Sequence, residues 1–313
     1  MLVKKAAIFL VMFYLLGAAV ASAQNCCAPA VPQQGVVGET VALPHTLEVG
    51  LYFELLRSRN LYHGSEQIDD PAQIESDWQR ASLALAYGLS KRFSLGVVLP
   101  LVWKEKSKLL TSTASRITNS SDGLGDLILQ ARYALSPRNW SNVRELSVGL
   151  AVKAPTGATD VREYGLLLPQ ELQPGSGSWD FYGSASYYQG WVPADILLSA
   201  TYALSTEHEG YRFGNQFSFL LSGIKHLHDR FDLSLAISGA LKAKDDDGGE
   251  LLESTGREQV WIVPGLQYVI LWEKLRLFAY FELPVYQHFN GIQLGSDYNL
   301  RFSLNYALPL GSE

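Results

Sequence analysis

The stretch GLGDLILQARYALS (Gly123–Ser136), followed by PRNWSNV (137–143) and RELSVGLAVKAP (Arg144–Pro155), decides the fold. In its first arm Leu127, Leu129, Ala131, Tyr133 and Leu135 alternate with Asp126, Ile128, Gln130, Arg132 and Ala134. A period of two is that of a strand, here with one apolar and one mostly polar face. In the second arm Leu146, Val148, Leu150 and Val152 alternate with Ser147, Gly149, Ala151 and Lys153, while Pro137 and Asn139 punctuate the connection. The two arms predict an antiparallel hairpin.

Working outward, the same unit recurs. Upstream, strands are expected over Thr46–Arg57, Trp78–Leu89 and Phe93–Lys104. Downstream they are expected over Gly177–Gln189, Ala194–Leu204, Tyr211–Lys225, Phe231–Ala243, Gln259–Leu271, Leu275–Tyr286 and Tyr298–Leu310. Short turns such as Ser90-Lys91-Arg92 alternate with long polar connections, among them Glu105–Asp122, Thr156–Ser176 and Lys244–Glu258. About twelve strands with short turns on one side and long loops on the other predict an all-β fold, a transmembrane antiparallel up-and-down β-barrel with both termini in the periplasm. Strands of this length, tilted about 40°, cover the roughly 25 Å apolar band of such a barrel.

Alternation alone does not say which face looks outward. A barrel of about twelve strands is wider than the roughly eight-stranded case that side chains can fill, so an apolar interior would be a void. The non-apolar face is also rich in Gly, Ala and Ser rather than the Thr, Lys and Glu of a water-facing sheet. Both arguments turn the apolar face to lipid. The seven tryptophans, Trp78, Trp103, Trp140, Trp179, Trp191, Trp261 and Trp272, are expected at strand ends or in turns, as an interfacial girdle requires.

At the N-terminus Lys4 and Lys5 precede the apolar run Ala6–Val20 and the small-residue site Ala21-Ser22-Ala23, which predicts a signal peptide over 1–23. A periplasmic leader is expected over 24–45 and the barrel over 46–313. Removing Lys4 and Lys5 leaves 23 basic against 31 acidic residues, a formal charge of −8, which argues against nucleic acid as a partner. The partners expected instead are the lipid bilayer and lipopolysaccharide, the outer-membrane insertion machinery and a small-molecule solute. Cys26 and Cys27 are adjacent, so they close no disulfide framework.

Parity then names the lumen-lining candidates. Toward the outer mouth lie Glu54, Arg80, Lys104, Asp126, Lys153, Asp180, Lys242, Glu282 and Arg301; nearer the periplasm lie Glu48, Arg132, Asp232 and Arg276. Both signs occur in each group, so neighbours can pair, brace the wall and narrow a lumen of roughly 10 Å. Tyr52, Tyr182, Tyr188, Tyr280 and Tyr286 share that parity and offer an aromatic lining for an amphipathic solute. The loop Thr156–Ser176, which contains Leu166-Leu167-Leu168, is the best candidate for a fold-in constriction.

Catalytic chemistry finds no support. The chain has no G-x-S-x-G elbow, no H-E-x-x-H and no phosphate-binding glycine loop. His63-Gly64-Ser65 lies in a loop, Asp245-Asp246-Asp247 lacks the ligand spacing of a calcium site, and His226 and His228 read as turn residues. No cofactor, metal or catalytic residue is expected. The segments GLGDLILQARYAL (Gly123–Leu135), VKAPTGATD (Val152–Asp160) and PGSGSWDFYGSASY (Pro174–Tyr187) resemble the family named Putative MetA-pathway of phenol degradation. That resemblance implies an outer-membrane transporter or channel barrel of Gram-negative bacteria passing small compounds, aromatic ones among them. The expected function is therefore a small-solute channel, with a structural or adhesive barrel and a plugged lumen as the alternative.

Overall fold

The computed structural model describes residues 40–110, 115–138, 143–191, 194–271 and 274–310. The segment expected as a signal peptide, most of the one expected as a leader, Cys26, Cys27, Trp140 and Trp272 lie outside them. Twelve antiparallel strands close on themselves. They are β1 (Thr46–Ser58), β2 (Glu75–Gly88), β3 (Phe93–Leu110), β4 (Leu127–Ser136), β5 (Arg144–Ala154) and β6 (Asp180–Gly190), then β7 (Ala194–Ser205), β8 (Gln216–His228), β9 (Phe231–Lys242), β10 (Arg257–Leu271), β11 (Leu275–Gly295) and β12 (Tyr298–Pro309). Each pairs with its chain neighbours, and β12 pairs with β1 from Thr46↔Pro309 to Arg57↔Tyr298. Closure leaves no strand edge, so the ladder satisfies the backbone polar groups without water.

Burial follows the alternation. On β1, Leu51 is 54% exposed while Glu54 is 3% exposed; on β5, Leu150 is 72% exposed while Ser147 is fully buried. Leucine, valine and phenylalanine cover the outside, and small or polar residues such as Ser82, Ala84, Ala86, Ser94, Ser186 and Ser218 are enclosed. This is the inside-out arrangement of a barrel whose solvent is lipid. The interior also holds an apolar cluster of Leu220, Ala236, Ala240, Trp261 and Val263, with Leu197 and Tyr280 against it.

Several strands run differently from the sequence reading. β3 extends to Leu110 and continues as a hairpin with Ser115–Leu124, so most of the expected loop Glu105–Asp122 is itself sheet. Tyr211–Arg212 leaves the expected eighth strand for a small sheet with Glu207–His208, Asp246–Asp247 and Glu250–Leu251. The run assigned to β11 doubles back at Asn290–Gly291: Leu275–Phe289 follows β10, while Ile292–Gly295 pairs with Asn60–His63. Gly291 has φ 59°, the left-handed conformation that glycine adopts without Cβ strain. The connection after β11 is thus a hairpin over a small core of Leu61 and Leu294 rather than an open polar loop.

Candidate functional site

Two cavities occupy the barrel interior. The first, toward the long connections, has a volume of about 320 Å³; the second, toward the short turns, about 730 Å³. Thr40 lines both.

The charged candidates of the first cavity come from six strands and from the turn before β4. Arg80, Lys104, Arg132, Lys153 and Lys242 line it, together with Asp126, Asp180 and Tyr182. Lys153 pairs with Asp180 and lies 3.4 Å from Asp126, and its Nζ donates to the Ser176 hydroxyl at 2.6 Å. Asp126 precedes β4 and ties down the long connection. Its carboxylate accepts from the Gly157 amide at 2.9 Å, the Ser176 amide at 2.9 Å and the Ser176 hydroxyl at 2.7 Å. Lys104 donates to the carbonyls of Glu171 and Gln173, Lys106 pairs with Glu171 at 2.6 Å, and Ser121 donates to the Leu172 carbonyl. The connection therefore turns inward, so Gln170, Pro174, Gly175 and Ser176 line the cavity. Its leucines split: Leu168 is buried, whereas Leu166 and Leu167 stand 75% and 52% exposed.

A second group braces one wall. Glu54 accepts from Arg80 at 2.6 Å and from Arg301 at 3.2 Å, and Arg301 reaches Glu282 at 2.9 Å. The Asn299 amide bridges the two carboxylates, donating to each at 2.7 Å. Tyr52 and Tyr280 lie beside this group. The register puts the partners together: Glu54 is opposite Arg80 on one side and Arg301 on the other. Lys242 sits apart, 2.7 Å from the fully buried Asp245.

The second cavity is lined by Tyr188, Asp195, His226, Asp232, Arg276, Phe278 and Tyr280 among others. The His226 ring spans two carboxylates, Nδ1 at 2.8 Å from Asp232 and Nε2 at 3.2 Å from Asp195. Tyr188 donates to Asp195 at 2.6 Å and Gln267 to Asp232 at 2.7 Å. At this end residues 40–43, ahead of β1, enter the barrel. The Val41 amide donates to Glu145 at 2.7 Å, and Arg138 pairs with Glu145 at 3.0 Å while contacting Thr40 and the Val41 carbonyl. Ala42 packs on Ala84, Ala86 and Val98, and Glu48 accepts a hydrogen bond from the Leu43 backbone.

The candidates thus fall into three assemblies and some outliers. Asp126, Lys153, Asp180 and Tyr182 meet in the first cavity; Glu54, Arg80, Glu282 and Arg301 meet in the brace. Asp232 and Arg276 share the second cavity. Lys104, Arg132 and Lys242 also line the first cavity but bond outside the Lys153 group, and Glu48 lies apart with the Leu43 backbone. Sequence reasoning missed Glu145, Asp195 and His226. Glu145 shares the parity of Ser147 and Asp195 that of Ser199, so reading each strand to its last residue finds both.

Three aromatic expectations need correction. Trp261 lies within β10 and is 2% exposed, packed inside the barrel, and Trp78 lines the first cavity with Arg80 stacked 5.0 Å from its ring. Neither belongs to an interfacial girdle, whereas Trp103, Trp179 and Trp191 are exposed. Tyr286 faces outward, 45% exposed, because a register shift at Val260/Trp261 places Val285 and Tyr286 together on the outer surface. Asp245, in the long connection after β9, is buried. Burial pushes its carboxyl up, but Lys242, the Gly214 amide and the Tyr211 hydroxyl hold it below the usual carboxylate range.

Comparison with solved structures gives an outer membrane channel from Pseudomonas putida F1, with TM-score 0.68 and 14% identity, covering 86% of this chain and 97% of that one. The β domain of the Bordetella autotransporter BrkA follows with TM-score 0.49 and 8% identity over 84% of this chain and 99% of that one. No curated protein matches in sequence. The model of the family described as "Putative MetA-pathway of phenol degradation" matches residues 78–294. With most of β2, all of β3 to β10 and nearly all of β11 inside that match, the chain belongs to this family.

Proposed function

We propose that the protein is an outer-membrane channel for small solutes, aromatic or amphipathic compounds among them, which pass through a lumen lined by mixed charges and tyrosines. The observation that carries this reading is the pairing of an apolar outer surface with an interior that retains two cavities lined by polar and aromatic side chains. A barrel serving only as a membrane anchor has no need for either space. The fold shared with the Pseudomonas putida channel and the family membership support the reading. It assigns no reaction to the chain. It includes export by a signal peptide cleaved after Ala23, delivery by the outer-membrane insertion machinery, termini on the periplasmic side and lipopolysaccharide around the outer rim.

A structural or adhesive barrel with a plugged lumen is the second reading, favoured by Val41 and Ala42, which are buried inside the barrel. Planar-bilayer conductance and liposome uptake separate the two. A folded barrel that neither conducts nor carries solute overturns the channel. Charge reversal at Asp126 or Arg132 changes the ion selectivity of a channel but only the stability of a plugged barrel.

A further inference from the structure

We propose that His226 sets the ion preference of the cavity near the short turns, as an imidazolium that ties two carboxylates together and releases them when it loses its proton. The proposal rests on the channel reading and adds to it a residue that decides which charge of solute this end of the barrel favours. Each ring nitrogen faces a carboxylate: Nδ1 lies 2.8 Å from Asp232 Oδ1, and Nε2 lies 3.2 Å from Asp195 Oδ2. The two acids also take donors from elsewhere. Asp232 Oδ2 accepts from the Gln267 amide at 2.7 Å, and Asp195 accepts from the Trp191 backbone at 3.2 Å and from the Tyr188 hydroxyl at 2.6 Å. Both are therefore held as carboxylates, which only accept. A neutral imidazole has one N–H and can serve one of them; an imidazolium has two and serves both.

The three residues come from neighbouring strands, Asp195 from β7, His226 from β8 and Asp232 from β9, with His226 directly opposite Asp232 in the ladder. Loss of the proton leaves a ring lone pair against a carboxylate at hydrogen-bond distance, which is repulsive. The His226 side chain is 42% exposed, so the ring has room to turn away. Among the described residues lining this cavity, the acids Asp195, Asp229 and Asp232 stand against the guanidinium groups of Arg138 and Arg276. A charged His226 brings three positive charges against three negative ones; a neutral His226 leaves one negative charge over. The other groups facing it do not alter that balance. Tyr188 from β6 and Gln267 from β10 are neutral donors, Glu145 pairs with Arg138, and Glu48 lies in the field of Arg138 and Arg276. One charge in a recess walled by low-dielectric protein is enough to bias which ions enter it.

The test measures reversal potentials of the folded barrel in planar bilayers under a KCl gradient, from about pH 5.5 to about 9, where aspartate stays ionised and histidine titrates. The K⁺/Cl⁻ permeability ratio is expected to rise about two- to threefold with pH, as the cavity gains its uncompensated negative charge. H226Q, which keeps a donor but carries no charge, is expected to hold the high-pH ratio throughout. H228Q, on the same cavity, is expected to keep the parent's pH dependence. A ratio that does not change with pH in the parent overturns the inference, and so does a folded H226Q that still titrates or an H228Q that no longer does. Protonation is read separately by NMR of isotope-labelled histidine rings in detergent. The His226 ring is expected to carry two N–H groups at about pH 7, where a solvent-exposed ring mostly carries one. A singly protonated ring overturns the tie between the carboxylates. The parent's pH profile, H228Q and the NMR stand even where H226Q does not fold. A barrel with the doubly protonated ring that does not conduct would sink the channel reading and leave the tie; one that conducts with a pH-independent ratio would do the reverse.

Discussion

Two walls of the barrel interior are buried to the same degree by opposite chemistry. On β1, β2, β11 and β12 the enclosed positions carry Glu54, Arg80, Glu282, Asn299 and Arg301; on β7 to β10 they carry Leu197, Leu220, Ala236, Ala240, Trp261 and Val263. Glu54 and Leu220 are 3% and 2% exposed. The apolar wall gains from close packing and tolerates local repacking. The charged wall holds only while every member is present, because each buried charge depends on a counter-charge fixed across the ladder. Inside a barrel, then, equal burial does not mean equal tolerance.

Glu54→Ala is the strongest way to break the contrast. It strands two guanidinium groups and one bridging amide, and is expected to cost about 3–5 kcal/mol in urea unfolding from detergent micelles. A loss below about 1 kcal/mol would show that water solvates the brace. Leu220→Ala on the apolar wall is expected to cost about 3 kcal/mol, through lost burial plus the space left behind. A value near zero would show that the neighbouring cavity already wets that wall.

Asp245 sharpens the comparison outside the membrane span. Its carboxyl is held below the usual range despite burial, because Lys242 and two hydrogen-bond donors outweigh desolvation. The folded form therefore gains stability above the unfolded carboxyl's ordinary value near about 4, and loses it as pH falls through the depressed folded value. Asp245→Asn is expected to be less stable than the parent at pH 7, with the gap closing toward pH 2. The effect should be smaller than either of the first two, since the loop sheet can open without unfolding the barrel. A gap that stays constant with pH would rule out ionisation as its cause. Smallest of all is the rim pair Arg57–Asp77, at 3.0 Å with both side chains part-exposed. Arg57→Ala is expected to cost about 0.5 kcal/mol or less, and a larger loss would mean the rim is packed more tightly than its exposure suggests.

Much of the fold was legible because side-chain direction in a strand is local. Ser147, Gly149 and Lys153 fall on the enclosed face, and Leu146, Val148 and Leu150 on the outer one, from spacing alone. The same logic misplaced Tyr286, because Val285 is an extra residue on β11, beside Pro284, and the bulge it makes shifts the parity beyond it. It also took the tryptophans as a set, although Trp261 keeps the parity of Gln259 and belongs inside. His226 looked like a turn residue because its partners, Asp195 and Asp232, come from two other strands.

The order of amino acids by itself determined the strands, their alternation, the apolar outer surface and the set of charges available to the interior. These follow from a two-residue period that each strand carries alone. Which charges meet was decided only by the closed sheet. Glu54 and Arg301 lie 247 residues apart and become neighbours because β12 seals against β1. The inward turn of the 155–179 connection, the reversal at Gly291 and the entry of Val41 into the barrel are likewise tertiary. Each depends on a partner from a distant strand or loop, and register between distant segments is set by the pairing of the whole ring rather than by any stretch read alone.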